Sequence, residues 1–352
     1  MKRAFLLLIL LLAVAYLKEG YKLLIDNKTI ESSDKGMLSD IAHEVIAIPL
    51  ETNNRCILSH AKQIRRDGNH LFLVNKCQLY HFTCSGKFVN QITFLDSSHP
   101  NALKVTDYVV DPVNKQLIIL DEEQNVHYYG YDGRLMAKIT LPTHHPWQQL
   151  LKLSYYDQYI WATADQLTKN VESSGSCLEQ WLYKFDTAFR PVEARKLTPA
   201  ELGRSQICYS FNPEMAVANR QVYVHAPSID PDRLLQDTLY LISRNALHIE
   251  ENNTSILPLR ISKRFLISTH YNPVEAHKSY TFCFDREENK AYTVREGFED
   301  NFYHTGRISE LQAMDVSNTS YCYYKSGEEV RKSFPERKET DNPVLFIVKL
   351  KA

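Results

Sequence analysis

The chain has 352 residues, with 41 Lys and Arg against 42 Asp and Glu, so its formal net charge is −1. This balance excludes the broad positive field that nucleic-acid binding requires, and we predict no nucleic-acid partner. The 21 Tyr and 15 Phe stand against only 11 Gly, a composition that favours half-buried β-strands.

Residues 1–17 have the pattern of an export signal. Lys2 and Arg3 precede an apolar stretch of about 14 residues, shorter than the ~20 that cross a bilayer as a helix. Ala13-Val14-Ala15 supplies the small residues that signal peptidase reads. We predict a cleaved signal peptide at 1–17 and a periplasmic or secreted mature protein that does not span the membrane. An uncleaved membrane anchor is the alternative.

Two stretches of the chain repeat one pattern at an interval of 46 residues. Each reads strand, short turn, strand, a second turn ending in Gly, and strand, over 71–92 and 117–139. The second turns contain Ser85-Gly86 and Asp132-Gly133, which are typical of hairpins because Gly accepts a positive φ. Weaker copies of the unit follow to the end of the chain.

Strand-rich units of about 50 residues are typical of propeller blades. We therefore predict an all-β fold: a six-bladed β-propeller of four-stranded antiparallel blades over 45–352, after an N-terminal leader segment at 18–44. The strand Val45–Ile48 is predicted to lie beside Val344–Leu350, so that N- and C-terminal strands close the ring. A pair of β-sandwiches is the alternative.

Two short helices are predicted among these strands. Thr198-Pro199-Ala200-Glu201 combines an N-cap residue with Pro at the first helical position. The second is predicted within Ser326–Arg337. Both helices would lie in loop insertions.

The order of four motifs resembles that of a large bacterial group of exported six-bladed β-propellers, some described as TolB-like. The motifs are Ile48-Pro49-Leu50-Glu51-Thr52, Gly86-Lys87-Phe88-Val89, Phe298-Glu299-Asp300-Asn301, and Asp341–Leu345 followed by Lys349-Leu350. Many members carry a lipoprotein Cys after the leader and a Gly-rich loop after the first blade. Here no Cys lies near the end of the leader, and Phe94–Leu103 replaces that loop. The resemblance implies a fold and a compartment but no reaction.

Two groups of polar residues are candidate binding sites. Glu299, Asp300 and Asn301, with His304 nearby, bring oxygen and imidazole groups into one loop, and His144, His145 and Trp147 form the second group. The first group is also a candidate calcium site, since oxygen-rich loops hold Ca²⁺. Our primary prediction is no cofactor and no metal. The alternative for both groups is an ordinary polar connection between strands.

The Tyr-rich strands around Tyr128 and Tyr323 would either line a ligand-binding face or pack between blades, and packing is the preferred interpretation.

No complete catalytic constellation occurs in the sequence, which leaves enzyme activity undecided. We predict a binding or interaction module of the cell envelope, with an envelope protein, a peptide or a glycan as its partner. One alternative is a metal-dependent hydrolase or lyase with its site in a central channel. Another is a structural component of a larger envelope assembly.

Overall fold

The structure is a computed structural model, and it describes most of the chain after residue 30. The described residues are 31–33, 36–95, 98–99, 102–141, 149–169, 176–197, 200–202, 214–218, 220–230, 233–242, 247–252, 259–262, 264–271, 279–288, 290–308 and 310–352. Among them, no helix has the length and apolar character needed to cross a membrane.

Strands dominate the described chain, and the two helices have four residues each. The helices are α1 (Leu38–Ile41) and α2 (Gly327–Val330). The strands are β1 (Glu31–Ser33), β2 (Ala42–Pro49), β3 (Lys62–Asp67), β4 (His70–Asn75), β5 (Gln78–Thr83), β6 (Phe88–Gln91), β7 (Val105–Asp111), β8 (Gln116–Asp121), β9 (Asn125–Gly130), β10 (Leu135–Thr140), β11 (Gln149–Tyr156), β12 (Tyr159–Lys169), β13 (Ser176–Phe185), β14 (Pro191–Lys196), β15 (Ala200–Leu202), β16 (Glu214–Ala218), β17 (Gln221–Asp230), β18 (Arg233–Ile242), β19 (Leu247–Asn252), β20 (Leu259–Ile261), β21 (Phe265–Tyr271), β22 (Ser279–Asp285), β23 (Lys290–Arg295), β24 (Phe298–Asp300), β25 (Gly306–Ile308), β26 (Gln312–Ala313), β27 (Ser320–Lys325) and β28 (Val344–Leu350).

The strands form successive four-stranded antiparallel sheets, each built from neighbouring stretches of chain. Sheet I contains β3–β6, sheet II β7–β10, sheet III β11–β14, sheet IV β16–β19 and sheet V β20–β23. Strands β24 and β25 form a separate hairpin. The predicted all-β propeller with four-stranded antiparallel blades is confirmed in this form.

A closing sheet joins the two ends of the propeller, in the order β2-β28-β27-β26. Strand β2 runs antiparallel to β28, with Val45 opposite Val348 and Ile48 opposite Leu345. This is the predicted pairing of Val45–Ile48 with the C-terminal strand. Because the N- and C-terminal strands belong to one hydrogen-bonded sheet, the ring can open there only if that sheet is broken.

Hydrophobic clusters fill the spaces between neighbouring sheets. Sheets I and II share a cluster that includes Phe72 and Tyr108, and sheets II and III share one that includes Ile118 and Tyr183. The other clusters join sheet III to IV, sheet V to the closing sheet, and the closing sheet to sheet I. At these five junctions neighbouring sheets cover each other's apolar faces, which a single sheet leaves exposed.

The tyrosines of the Tyr-rich strands pack mainly between the sheets. Tyr128 and Tyr129 are buried in sheet II, and Tyr321 and Tyr323 are buried in the closing sheet. Burial of these rings supports the packing interpretation of the Tyr-rich strands.

The two predicted Gly turns have the same geometry. Gly86 and Gly133 have φ values of +84° and +85°. In each turn the Gly N–H donates to the carbonyl three residues earlier, at Thr83 and at Gly130. The two similar stretches at 71–92 and 117–139 therefore contain the same hairpin turn, a four-residue turn whose last residue is a Gly in the left-handed conformation.

A pair of histidines, buried His81 and half-buried His70, lies where sheet I meets sheet II. His81 Nδ1 lies 3.0 Å from the carbonyl oxygen of Tyr131 and 3.2 Å from Oδ1 of Asn90, both acceptors. Nδ1 therefore carries the proton, and Nε2 of neutral His81 accepts from His70 Nδ1 at 2.9 Å. Burial, followed by the nearby charge of His70, lowers the pKa of His81.

The chain before β2 fastens sheet V to the closing sheet. Strand β1 pairs in parallel with β23, adding an outer strand to sheet V. Leu38 and Ile41 of α1 are fully buried in the cluster that these two sheets share. Part of the predicted 18–44 segment is thus built into the core.

One helix prediction is wrong and the other is confirmed in shortened form. Ala200 and Glu201 belong to β15, which pairs with Cys177 and Leu178 of β13, while 198–199 lie outside the described residues. The open edge of β13 supplies backbone partners that a single helical turn cannot match. Helix α2 covers only Gly327–Val330 of the second predicted region, and Ser326 caps it.

Candidate functional site: the central cavity

The first strand of each sheet lies on the inner side of the propeller. Strand β3 contacts β26 and β7, β7 contacts β11, and β16 contacts β20. Residues from β3, β7, β11, β16 and β26 line a cavity of about 330 Å³. This volume is at the lower end of the range for small-ligand pockets.

One position of the inner strands carries a charged residue in sheet after sheet. Lys62, Asp107, Lys152 and Glu214 pair with Val74, Leu120, Thr163 and His225, respectively. Each of these partners is the fifth residue of its own second strand, counted from the first residue of that strand. The first three charged residues line the cavity, and Glu310, two residues before β26 of the closing sheet, lines it as well. We call Lys62, Asp107, Lys152 and Glu310 the charged ring.

Asp107 is the most deeply buried member of the charged ring. Its Oδ1 lies 2.9 Å from Nη2 of Arg65, and its Oδ2 accepts the Leu153 N–H at 2.7 Å. Arg65 also donates to the carbonyl of Leu153 at 3.3 Å and lies over the ring of Tyr108. The Arg65–Asp107 pair therefore links sheets I, II and III and neutralises the carboxylate between Lys62 and Lys152.

Two carboxylates from the region of the closing sheet also line the cavity. They belong to Glu310, before β26, and Asp315, in the loop after β26. Burial raises the pKa of Asp315 above its usual value, although the N–H groups of Thr319 and Ser317 donate to its carboxylate and oppose this shift. The loop is held to sheet IV, because the Val217 N–H donates to the Val316 carbonyl at 2.6 Å.

Two polar atoms in the cavity wall have no hydrogen-bond partner among the described residues. They are the indole Nε1 of Trp161 and the hydroxyl of Thr163, whose residues are 8% and 3% exposed. Both residues line the cavity, two positions apart on β12. Buried polar groups are normally satisfied, so unpartnered ones at a cavity point to a ligand or water as the missing partner.

The predicted site residues in the loop at 299–304 do not line this cavity. Asp300 is fully buried, and its carboxylate accepts from Phe302 N, Tyr303 N and the Thr305 hydroxyl. The Asp300 carboxylate thus shapes its own turn, as the structural alternative supposed.

Asn301 fastens the N-terminal segment, since its Oδ1 accepts the Ser39 N–H and its Nδ2 donates to the Ser39 hydroxyl. Glu299 Oε2 lies 3.9 Å from Nε of Arg307, and His304 is exposed with a φ of +57°. Ligand binding by this loop stays a prediction.

The second predicted group, His144, His145 and Trp147, lies outside the described residues. Across the part of the chain that is described, no three His, Cys, Asp or Glu side chains are grouped as metal ligands. The calcium alternative therefore stays untested, together with the metal-dependent enzyme.

The charged ring was missed at the sequence level, although a signal for it exists. Lys62 and Asp107 are 45 residues apart, Asp107 and Lys152 also 45, but their partners Val74 and Leu120 are 46 apart. A bulge between Lys62 and Arg65, together with turns of unequal length, puts the inner strands out of step with the 46-residue spacing of the second strands. Aligning the inner strands separately would have brought these charges together.

Comparison with known proteins gives a family and a fold. A family model described as "Domain of unknown function (DUF4934)" matches residues 24–252. The chain matches none of the curated proteins with which it was compared. A crystal structure of a "Putative exported protein" from Bacteroides fragilis NCTC 9343 is 16% identical with a TM-score of 0.59, covering 92% of this chain and 98% of that chain. At this identity the likeness shows the fold alone.

Two eukaryotic propellers align less well. The WD40 domain of Neurospora crassa Pan2 is 10% identical over 83% of this chain and 76% of that chain, with a TM-score of 0.44. The Swd1 β-propeller domain of Myceliophteria thermophila is 10% identical over 72% of this chain and 91% of that chain, with a TM-score of 0.40.

Proposed function

The chain belongs to the DUF4934 family, whose description assigns no activity, and we propose that it is an exported binding module with its ligand site in the central cavity. The observation that carries this proposal is the charged ring: equivalent positions of sheets I, II and III bring Lys62, Asp107 and Lys152 to one cavity, which Glu310 also lines. Buried polar atoms of Trp161 and Thr163 in the same wall have no partner among the described residues, which supports a ligand or water in the cavity.

Sheets I–V and the closing sheet are, in this proposal, the six blades of one closed ring. The clusters between neighbouring sheets support a ring, as do the contacts between β16 and β20 where sheet IV meets sheet V. In a closed ring the inner strands surround an axial cavity, which is where propellers hold small ligands.

Residues 1–17 direct the protein out of the cytoplasm in this proposal. The basic start and short apolar stretch support a signal peptide, and the description of the Bacteroides fragilis neighbour agrees with export. The ligand is accordingly an envelope component, such as a peptide, a glycan or a segment of an envelope protein. N-terminal sequencing of the exported protein would identify the mature start.

Cavity binding is tested by filling the cavity. The protein, expressed from its full sequence, is screened by thermal shift and calorimetry against amino acids, short peptides, monosaccharides and organic acids. Ser154 lines the cavity, so Ser154→Trp reduces its volume while Ser154→Ala leaves it open. We expect a ligand that binds the wild type and Ser154→Ala but not Ser154→Trp. Absence of any binding, or binding that survives Ser154→Trp in a folded protein, overturns the proposal.

A further inference from the structure

The central cavity reaches further into one junction of the ring than into the others. Of the described residues that line it, those of sheets I, II and IV belong to first strands, whereas sheet III contributes residues from three strands. Ser154 of β11 pairs with Trp161 of β12. Thr163, two residues further along β12, pairs with Leu182 of β13, so these four side chains share one face of sheet III. That face packs against sheet IV, where Trp161 and Leu182 share a hydrophobic cluster with Val217. The cavity therefore extends outwards between sheets III and IV.

This extension of the cavity has no charge of its own. Among the described residues, those of β12, β13 and β16 that line the cavity are all uncharged, and we call the space beside them the lateral pocket: Trp161, Thr163, Leu182, Met215 and Ala216. Lys152, which pairs with Thr163 from β11, already has a partner within the protein. A charged ligand group would lose its hydration in the lateral pocket without gaining a counter-charge, and this is costly. The lateral pocket therefore favours an uncharged group.

The indole of Trp161 is held in place while its N–H group lacks an acceptor. Lys184 lies opposite Trp161 on β13, with Nζ 5.1 Å from the centroid of the Trp161 ring and 3.8 Å from that of Tyr159. Trp161 is buried, and its Nε1 has no hydrogen-bond partner among the described residues. Because an indole N–H can only donate, a ligand that satisfies it must present an acceptor.

Thr163 adds a hydroxyl that can donate or accept. Like Nε1 of Trp161, its Oγ1 is buried and has no partner in the described part of the chain. Residues two apart on one face of a strand are separated by about 6.7 Å. The C=O and N–H of a trans secondary amide point in opposite directions, so a single amide can contact two groups at such a spacing. Leu182 and Met215 provide apolar surface nearby for an alkyl group of the ligand.

Resting on the proposed cavity function, we infer that the lateral pocket binds an uncharged secondary amide with a small alkyl substituent, the group that an N-acetylated sugar and a blocked peptide have in common. The amide carbonyl accepts from Trp161 Nε1, and the amide N–H donates to the Thr163 hydroxyl. The alkyl group packs against Leu182 and Met215. A carboxylate would bring charge into an uncharged pocket, and a hydroxyl would leave the apolar surface uncovered.

Calorimetry with two pairs of compounds tests the inference and identifies the source of the amide. N-acetylglucosamine is compared with glucose, which lacks the acetamido group. N-acetylalanine methylamide is compared with methyl O-acetyl-lactate, in which ester oxygens replace both amide N–H groups. At least one amide should bind, and its counterpart should bind about fivefold more weakly or worse, because it loses at least one hydrogen bond. Binding by the sugar indicates a glycan ligand, and binding by the blocked alanine indicates a peptide.

Two variants remove the proposed contacts one at a time. Thr163→Val keeps the shape of the side chain but removes the hydroxyl, and it should weaken the amide about fivefold while changing its counterpart little. Trp161→Phe removes the indole N–H and should weaken the amide to a similar extent. Circular-dichroism melts check the fold of both variants. Because the Thr163 hydroxyl has no partner among the described residues, Thr163→Val should not lower the melting temperature.

Thr140→Val is the matched control, because Thr140 is exposed on the outer strand β10 and does not line the cavity. It should leave every affinity unchanged. Equal affinity for an amide and its counterpart refutes the inference, as does an amide affinity that Thr163→Val and Trp161→Phe both leave unchanged. If neither amide binds but another compound does, and Ser154→Trp abolishes that binding, the inference fails while the cavity function stands. If no compound binds, both fail.

Discussion

Replacing Asn342 should destabilise the protein far more than replacing an exposed asparagine in a turn, such as Asn114. Asn342 is 1% exposed and lies just before β28. Its Oδ1 accepts the Leu58 N–H at 2.7 Å, and its Nδ2 donates to the carbonyls of Glu51 and Cys56 at 2.6 and 2.9 Å. One side chain therefore holds the connection between β2 and β3 against the C-terminal strand.

The cost of Asn342→Ala follows from these three bonds. Each is worth about 1 kcal/mol net, and the Leu58 N–H left buried without a partner adds about 1–3 kcal/mol. We expect the free energy of unfolding to fall by about 4–6 kcal/mol, a large part of the 5–15 kcal/mol typical of a domain. Asn342→Asp keeps the acceptor but replaces the donor amide with a carboxylate oxygen, which would face the two carbonyl oxygens without a proton between them, and it should cost at least as much.

Denaturant unfolding at neutral pH measures both variants against Asn114→Ala. Asn114 is an exposed turn residue whose amide donates one bond, to Asp111, so its loss should cost about 1 kcal/mol or less. If Asn342→Ala and Asn114→Ala lower the free energy of unfolding equally, the three bonds do not hold the ring closure as argued.

Two further predictions concern sheet I. Gly86→Ala should lower the melting temperature of the protein, followed by circular dichroism, more than Gly68→Ala does. Both glycines have a positive φ, but a Cβ at Gly86 would lie 2.1 Å from the Pro49 carbonyl oxygen. At Gly68 no atom lies within 4 Å of the added Cβ. Similar melting temperatures would contradict this. Because burial lowers the pKa of His81, the unfolded chain binds more protons below about pH 6.5, and stability should fall as pH drops through that value. His81→Gln should reduce this fall in unfolding titrations between pH 5 and 8, and an unchanged slope would place its origin elsewhere.

The hairpins of sheets I and II could be predicted from the sequence because their signals are local. A turn that ends in Gly at positive φ, between apolar strands, specifies a hairpin wherever it occurs, as at Gly86 and Gly133. The pairing of β2 with β28 was predicted by a different argument, since a ring of sheets requires its ends to meet. Both inferences needed only the repeat and the geometry of closure.

Strands β1 and β15 could not be predicted from the sequence, because their pairing depends on strand edges that become available only in the folded protein. Strand β1 pairs in parallel with β23, far away in the chain, and β15 pairs with an open edge of β13. Short segments of this kind carry little periodicity, and Ala200–Leu202 even follows a helix-start pattern. In these segments the pairing with a distant strand outweighs the conformational preference of the local sequence.

The resemblance motifs explain why the fold could be predicted while the site could not. The Glu51 N–H donates to the Gly86 carbonyl at 2.8 Å, and the Leu50 N–H donates to the Pro343 carbonyl at 3.2 Å. Asn342 then donates to the carbonyl of Glu51. Three of the four motifs therefore meet at the junction of sheet I and the closing sheet, where they hold the ring together.

The three motifs that close the ring do not constrain which side chains the inner strands carry. The charged ring lies on those strands, where Lys62 and Lys152 could be exchanged for other side chains without disturbing the bonds around Glu51 and Asn342. Propellers with the same closure motifs can therefore hold different ligands. It follows that the ligand must be inferred from the cavity wall, and that the charged and unpartnered polar groups of that wall are the features that binding experiments should address first.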